Sequence, residues 1–286
     1  MIDNSLRITA TIVSTLIVVL GAQTLLGEPV TQWGGTSMTV ALILLTIATA
    51  IAWRLHSSFF SLVAFLYSTV LVGRLFGTLR LENTGTTSGV ALDPLLIGET
   101  GPGVPSVMYL SYVLSLLVCS QLLRLAYHWT NHSESDQPML AVNDWAMTFI
   151  RLYVGLMFIA HYTGHILAGP GPFQIFADYF AGVGFHIGGP MVILAGVIEI
   201  AVSIGLVFGL MTRVASVVGV LYLFFATLWG DHFTAGYIWV LPNGGWEFSA
   251  LWSAIILAFA FTGAGRLSAD RLIQPIAPRW LVWSFR

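Results

Sequence analysis

The sequence contains no lysine and a single cysteine, and charged residues make up only 8% of its 286 residues. Because Cys119 has no second cysteine, it excludes an intramolecular disulfide, a CxxC redox or zinc motif and a cysteine-ligated iron–sulfur cluster. The formal net charge of −2 argues against nucleic-acid binding, which requires a basic patch. No GxGxxG motif between a strand and a helix indicates a flavin or a dinucleotide.

Long apolar runs fill the chain instead. Hydrophobic residues account for 57% of the sequence and the mean hydropathy is +0.85, which indicates an integral membrane protein. About 20 apolar residues in a helix cross the roughly 30 Å of hydrocarbon in a bilayer. This length predicts eight transmembrane helices, near residues 8–26, 37–54, 58–79, 106–127, 145–167, 190–210, 212–229 and 246–264.

The spacing of these runs predicts an all-α membrane fold of two four-helix bundles in a parallel pseudo-repeat, since four spans per half make both halves enter the membrane in the same direction. The first half, 1–127, is predicted to be diverged and to serve as scaffold or partner surface, and a cytoplasmic linker follows at 128–144. The second half, 145–272, is predicted to carry the chemistry, and 273–286 form a cytoplasmic tail. The segment 168–189 is too short to cross again and predicts an interfacial helix. The acidic loop 80–105 is expected on the outside, with no identified ligand.

The arginines predict the orientation. If the spans alternate, the opposite loops contain only Arg80. Eight arginines share the other side: Arg7, Arg54, Arg124, Arg213, Arg266, Arg271, Arg279 and Arg286. By the positive-inside rule, both termini lie in the cytoplasm. We therefore expect a multi-pass protein of a bacterial or archaeal inner membrane, with the lipid bilayer as its first partner.

Glu199 is a lone carboxylate in the middle of a predicted span. An ionised carboxylate at that depth costs several kcal/mol unless it is paired or protonated, so it marks a functional site by default. At 1.5 Å per residue, Arg151 and His161 each lie roughly 7 Å from it along the membrane normal. These depths make a buried Arg–Glu–His chain geometrically possible, and we expect Arg151 to fix the carboxylate. A neutral carboxylic acid hydrogen-bonded to a neighbour is the structural alternative.

Two histidines, His161 and His165, lie four residues apart on one predicted helix and share a face. Three functions remain open for them: proton transfer to a redox ligand, metal ligation, and hydrogen bonding to a quinone carbonyl. Histidines wetted by lipid headgroups would have the same spacing. A metal site is not predicted, because no spacing signature such as HExxH is present.

Further polar residues gather at the same predicted membrane face. Asp231 and His232 end the seventh predicted span, and the turn that contains Asn243, Trp246 and Glu247 opens the eighth. Acidic and imidazole groups at one interface suit proton exchange with the periplasm, although ordinary loop polarity would give the same pattern. Trp246 is expected as an interface anchor, and Glu247 suits the start of a helix.

The second half resembles the DoxX/DoxD family over about residues 151–272. The matching motifs are Arg151-Leu152 with Gly155 and Phe158, His161 with Gly164, Glu199, the GLMTR run at 209–213, the PNGGWE turn at 242–247 and GAGRLSAD at 263–270. The resemblance implies a small four-helix membrane unit. The best-known branch of the family is the membrane subunit of thiosulfate:quinone oxidoreductase, and other members look like membrane partners of redox enzymes.

Family positions carry over to this chain at five residues: Arg151, His161, Glu199, Arg213 and Glu247. His165 stands where the family often has lysine, and the four amino-terminal spans lie outside the minimal family unit. The resemblance implies a quinone-linked oxidoreductase with thiosulfate as one candidate donor, and a membrane or periplasmic redox protein as partner. Glu199 and His161 are expected to handle protons at the quinone, with His165, Asp231 and His232 connecting them to the periplasm.

Two alternatives stay open. A non-catalytic subunit could pack its apolar first half against a larger respiratory or photosynthetic complex. A small-molecule transporter could use Glu199 as a site near the middle of the membrane.

Overall fold

Helices are the regular secondary structure in the part of the chain that the structure, a computed structural model, describes. That part comprises residues 4–27, 32–56, 58–83, 104–131, 140–238, 240 and 244–278. Several predicted segments lie wholly or partly outside the described residues: Asn243, most of the acidic loop 80–105, residues 132–139 of the linker 128–144, and residues 279–286 of the predicted tail.

Among the described residues, seven helices are long and apolar enough to cross a membrane, which makes the chain a multi-pass membrane protein. They are α1 (Asn4–Gly27), α2 (Gln32–Arg54), α3 (Phe59–Asn83), α4 (Pro105–Asn131), α5 (Val142–Tyr162, extended by a π-helical segment Thr163–Leu167), α7 (Gly188–Phe208) and α8 (Thr212–Trp229). The eighth predicted span is an apolar helix of 16 residues, α10 (Glu247–Thr262), which falls below that length. The shorter helices are α6 (Pro170–Gly182), α9 (His232–Ala235), α11 (Ala269–Ile273) and the 3₁₀ turn Gln274–Ile276.

The chain folds into two compact units. The first contains α1 to α4 together with residues 166–173. Its helices approach closely through small residues: a Cβ on Gly73 of α3 would lie 2.7 Å from the Cβ of Ser111 on α4. Ser14 and Thr49 share a hydrogen bond of 2.7 Å between α1 and α2. Small side chains and interhelical hydroxyl bonds are typical of helix packing in membranes.

Within the described residues, the second unit contains α5 from Asn143 to His165 and the chain from Gln174 onward, which includes most of α6 and all later helices. Gly155 lets α5 approach α7, because a Cβ there would lie 2.8 Å from a methyl group of Val207. Ser203 of α7 donates a hydrogen bond of 2.9 Å to the carbonyl of Gly155. Phe158 of α5 packs against Trp252 of α10 with 4.5 Å between ring centroids. These contacts fix α5, α7 and α10 around one apolar core.

The segment predicted to lie at the interface forms α6, a helix of 13 residues that is too short to span a bilayer. Its Tyr179 donates a hydrogen bond to the backbone carbonyl of Trp229, at the end of α8. Phe185, after α6, packs edge-on against the ring of Trp229 with 4.7 Å between centroids. The segment is therefore fastened to the end of α8.

Candidate functional site

Glu199 is almost completely buried, with 1% of its side chain exposed, and both of its carboxylate oxygens have partners. Oε2 lies 2.7 Å from Nδ1 of His165. Oε1 accepts a hydrogen bond of 2.6 Å from the hydroxyl of Tyr222. A carboxylate in an apolar interior persists only when paired or hydrogen-bonded in this way, so these three residues form one polar unit.

The local helix geometry sets the position of His165. The chain changes from α-helix to π-helix at Thr163, so His165 lies on a wider turn than His161. Single π turns of this kind occur frequently at functional sites. The edge of the His165 ring also meets the ring of Phe176 on α6, with 4.2 Å between centroids. His165 is thereby held between Glu199 and α6.

The structure corrects the predicted histidine partner of Glu199. His165 and not His161 contacts the carboxylate, and His161 instead packs against Trp252 with 5.4 Å between ring centroids. Depth along the helix places His161 near the level of Glu199. Depth does not show which way a side chain points around the helix axis, and the π segment changes that direction after residue 162.

Tyr222 is the functional residue that sequence reasoning missed. It lies in the apolar run VVGVLYLFFATLW of α8, where a tyrosine is an ordinary occupant of a membrane helix. The available signal was its hydroxyl, which requires a partner in hydrocarbon. Among the described residues, this hydroxyl donates its hydrogen bond to the carboxylate of Glu199.

A cavity of about 780 Å³ opens beside this polar unit. Its wall is formed by side chains of α5, α6, α7, α8 and α10, and most of them are apolar or aromatic. Cavities of 300–1,000 Å³ with apolar walls and a few polar groups are typical ligand sites. All five residues predicted to be catalytic line this one cavity: Glu199, His161, His165, Asp231 and His232.

Asp231 and His232 lie where α8 ends. Asp231 adopts a left-handed backbone conformation with φ of 56°, and its carboxylate accepts a hydrogen bond from Thr234. Nδ1 of His232 lies 2.8 Å from the carbonyl oxygen of Gly244. Burial, together with the negative charge of Asp231, raises the pKa of Tyr179 above its ordinary value, so Tyr179 stays a protonated donor. Asp231 follows Tyr222 by nine residues, and the seven residues from Tyr222 to the end of α8 at Trp229 rise roughly 10 Å.

Arg151 does not fix the buried carboxylate, contrary to the prediction. Its guanidinium donates to the carbonyl oxygens of Leu206 and Val207 at the end of α7, and to that of Leu267 at 2.7 Å. The last carbonyls of a helix lack intrahelical partners and carry partial negative charge, so a fully buried guanidinium is well placed there. Arg151 therefore closes the end of α7 and is absent from the cavity wall.

The same end of the unit joins two of the motifs noted in the sequence. Gly209 ends α7 with φ of 66°, a conformation that favours glycine. The carboxylate of Asp270 accepts hydrogen bonds from the backbone N–H groups of Met211 and Thr212, which begin α8. The GLMTR and GAGRLSAD motifs thus have a structural explanation. Arg213 is partly exposed one residue beyond this contact and does not line the cavity.

The turn into α10 also has a structural role. The backbone N–H groups of Trp246 and Glu247 donate to the carbonyls of Gly236 and Tyr237, at 3.1 and 2.9 Å. Gly245 is required there, because a Cβ would lie 2.4 Å from the carbonyl oxygen of Tyr237. Trp246 packs against the ring of Tyr237 with 4.6 Å between centroids, and neither Trp246 nor Glu247 lines the cavity.

The polar unit places an imidazole, the side chain that titrates nearest to neutral pH, against a buried carboxylate in the wall of a cavity. Within the described residues, no group of three or more His, Cys, Asp or Glu side chains is placed to hold a metal ion. A carboxylate and an imidazole in contact are the pair of groups that most often carries out general acid–base chemistry.

The cavity combines aromatic walls with a buried hydrogen-bond donor. Phe158, Tyr222 and Trp252 give it aromatic walls. Nε1 of Trp252 is buried and has no hydrogen-bond partner among the described residues, and buried donors normally have one.

Comparison with known proteins places this site within a described family. The family model DoxX matches residues 146–232, which include Glu199, His165 and Tyr222. An uncharacterized protein of Haemophilus influenzae is 34% identical over 125 residues, which is 43% of this chain and 87% of that protein. No solved structure matches the chain.

Proposed function

The chain belongs to the DoxX family, and from that premise we propose that it is a quinone-linked membrane redox protein in which Glu199 and His165 exchange a proton with a ligand in the cavity. One observation carries this proposal. A buried carboxylate–imidazole pair, 2.7 Å between Oε2 and Nδ1, lies in the wall of an apolar, aromatic cavity of about 780 Å³.

Each residue of the polar unit has a separate task in this proposal. A quinone supplies the two-electron chemistry when bound, and its reduction consumes protons. Glu199 and His165 hold the proton nearest to the ligand. Tyr222 donates to Oε1 and thereby keeps the carboxylate turned toward His165. The apolar wall excludes water, which strengthens every hydrogen bond within the site.

Asp231 and His232 return protons to the site from the membrane surface. Both line the cavity, and both lie beyond the end of α8. The exposed carboxylate of Asp231 exchanges protons with bulk water, and the cavity leads from it toward Tyr222. His161 contributes a further imidazole to the wall between α5 and α10.

The finer parts of the proposal concern the setting. We place the protein in a bacterial or archaeal inner membrane with both termini in the cytoplasm, because the arginines gather on one side. The 16 residues of α10 span roughly 24 Å and complete eight crossings. Electrons reach the quinone from a partner redox protein or from a sulfur donor such as thiosulfate.

Infrared difference spectroscopy tests the proposal. Purified protein in lipid nanodiscs is loaded with decylubiquinone, and the quinone is reduced and reoxidised at an electrode. We expect a redox-dependent change in the carboxylate stretching bands that disappears in Glu199→Gln, because the hydrogen bonding of this carboxylate changes when His165 gives up its proton to the ligand.

Asp144→Asn is the matched control. Asp144 lies in the same unit, 3.8 Å from Arg266, and does not line the cavity. Its variant should keep the full infrared change. Two results would contradict the proposed function. One is a carboxylate signal that survives in Glu199→Gln, and the other is a wild-type protein that shows no saturable binding of decylubiquinone.

A further inference from the structure

The wall of the cavity has an unusual balance of charge. Two carboxylates, Glu199 and Asp231, line it, and within the described part of the chain no arginine does. The chain has no lysine at all. Arg151 lies ten residues before His161 on α5, roughly 15 Å away along the helix. Its guanidinium donates to backbone carbonyls there. The only basic side chains in the wall are histidines.

Aromatic rings make up a large part of the remaining wall. Phenylalanine, tyrosine and tryptophan contribute nine of the lining side chains: Phe158, Phe176, Tyr179, Phe180, Tyr222, Phe225, Trp229, Phe248 and Trp252. The face of an aromatic ring attracts a cation, and the attraction grows when water is excluded. Aromatic faces and carboxylates without a fixed cation therefore favour positively charged organic ligands and disfavour anions.

We propose that this cavity binds lipophilic organic cations and releases one proton for each cation bound. Before binding, Glu199 and His165 share a proton as a carboxylate–imidazolium pair with no net charge. On binding, the imidazolium gives up its proton to water, and the pair becomes a carboxylate beside neutral imidazole. The net charge of −1 that remains is balanced by the cation, so the total charge in the hydrocarbon is unchanged.

The inference rests on the cavity of the proposed function but not on quinone chemistry. The titratable side chains that face the Glu199–His165 pair or line the cavity are His161 on α5, Tyr179 on α6, Tyr222 on α8, and Asp231 and His232 after α8. Tyr222 and Tyr179 serve as hydroxyl donors, and Asp231 lies at the exposed rim. An anionic donor such as thiosulfate would meet two carboxylates here, so it must react outside this cavity.

Tetraphenylphosphonium and tetraphenylborate test the inference, because they have nearly the same shape and opposite charge. Titration calorimetry of detergent-solubilised protein, in two buffers with different ionisation enthalpies, gives both the affinity and the number of protons released. We expect saturable binding of tetraphenylphosphonium with about one proton released, and affinity for tetraphenylborate that is at least about tenfold weaker.

Variants assign the proton to the pair. In Glu199→Gln, proton release should fall to zero and tetraphenylphosphonium affinity should fall at least about tenfold, because the charge is removed. Glu199→Asp keeps a carboxylate and should retain proton release, which separates loss of charge from misfolding. Asp144→Asn should behave as wild type. Equal affinity for the two ions, or cation binding without proton release, overturns the inference.

This outcome is separable from that of the proposed function. If the infrared change on quinone reduction is present but tetraphenylphosphonium does not bind, only the cation inference fails. If tetraphenylphosphonium binds with proton release but decylubiquinone does not bind, only the quinone function fails.

Discussion

The hydroxyl of Tyr222 on α8 donates a hydrogen bond of 2.6 Å to Oε1 of Glu199 on α7. This bond leaves Oε2 to His165, so each carboxylate oxygen has one partner from a different element. Hydrogen bonds to a charged acceptor are stronger than neutral ones, and they matter most where water cannot substitute. The pairing explains how α7 can carry a carboxylate in an otherwise apolar helix.

Tyr222→Phe should therefore destabilise the protein. The substitution keeps the ring and removes the donor to a buried carboxylate, which costs about 1–3 kcal/mol. The free energy of unfolding in detergent, followed by circular dichroism, measures the loss. Tyr153→Phe is the control, because Tyr153 is 64% exposed on α5 and should cost much less. Equal stability of the wild type and Tyr222→Phe would show that the hydroxyl is not needed there.

His165→Ala should be more damaging than His161→Ala. Removing one partner of a buried pair leaves an uncompensated charge and costs about 3–5 kcal/mol, whereas His161 is exposed and does not contact the carboxylate. The double variant His165→Ala/Glu199→Ala should recover part of the lost stability, since no charge remains unpaired. A double-mutant cycle measures this coupling. Additive effects would mean that the two side chains do not interact.

Gly209→Ala should destabilise the end of α7. A Cβ would lie 2.5 Å from Nη1 of Arg151 and 2.6 Å from the Cβ of Ser268, and φ of 66° is unfavourable for alanine. We expect a loss of about 1–3 kcal/mol in unfolding free energy. Gly182→Ala provides the comparison, because no atom lies within 4 Å of its added Cβ. Gly182→Ala should leave ligand binding in the cavity unaffected. A similar loss of unfolding free energy in both variants would contradict the packing explanation.

The helical membrane fold, and the need of Glu199 for polar partners, could be predicted from sequence because both depend on hydropathy. An apolar run of sufficient length forms a spanning helix whatever its neighbours are, and a carboxylate within one requires a partner. The family assignment was confirmed as well. Seven of the eight predicted spans have spanning length, and the eighth corresponds to the shorter helix α10.

The partners of Glu199 could not be predicted because depth along a helix is only one coordinate. Arg151 was expected beside the carboxylate on depth alone, but it lies at the carbonyl end of α7 and bonds there. Tyr222 was missed because its ring suits an apolar span and only the fold shows where its hydroxyl points. Rotation about the helix axis and helix neighbours are set by packing, which hydropathy does not encode.

Imaging the protein with decylubiquinone tests the central claim most directly. We predict that cryo-electron microscopy of the saturated protein in nanodiscs will show the quinone ring in the cavity, with one ring oxygen within hydrogen-bond distance of the Glu199–His165 pair. The same position should be empty of quinone in Glu199→Ala/His165→Ala. A quinone bound elsewhere, with a lipid chain filling the cavity in the wild-type protein, would contradict the account.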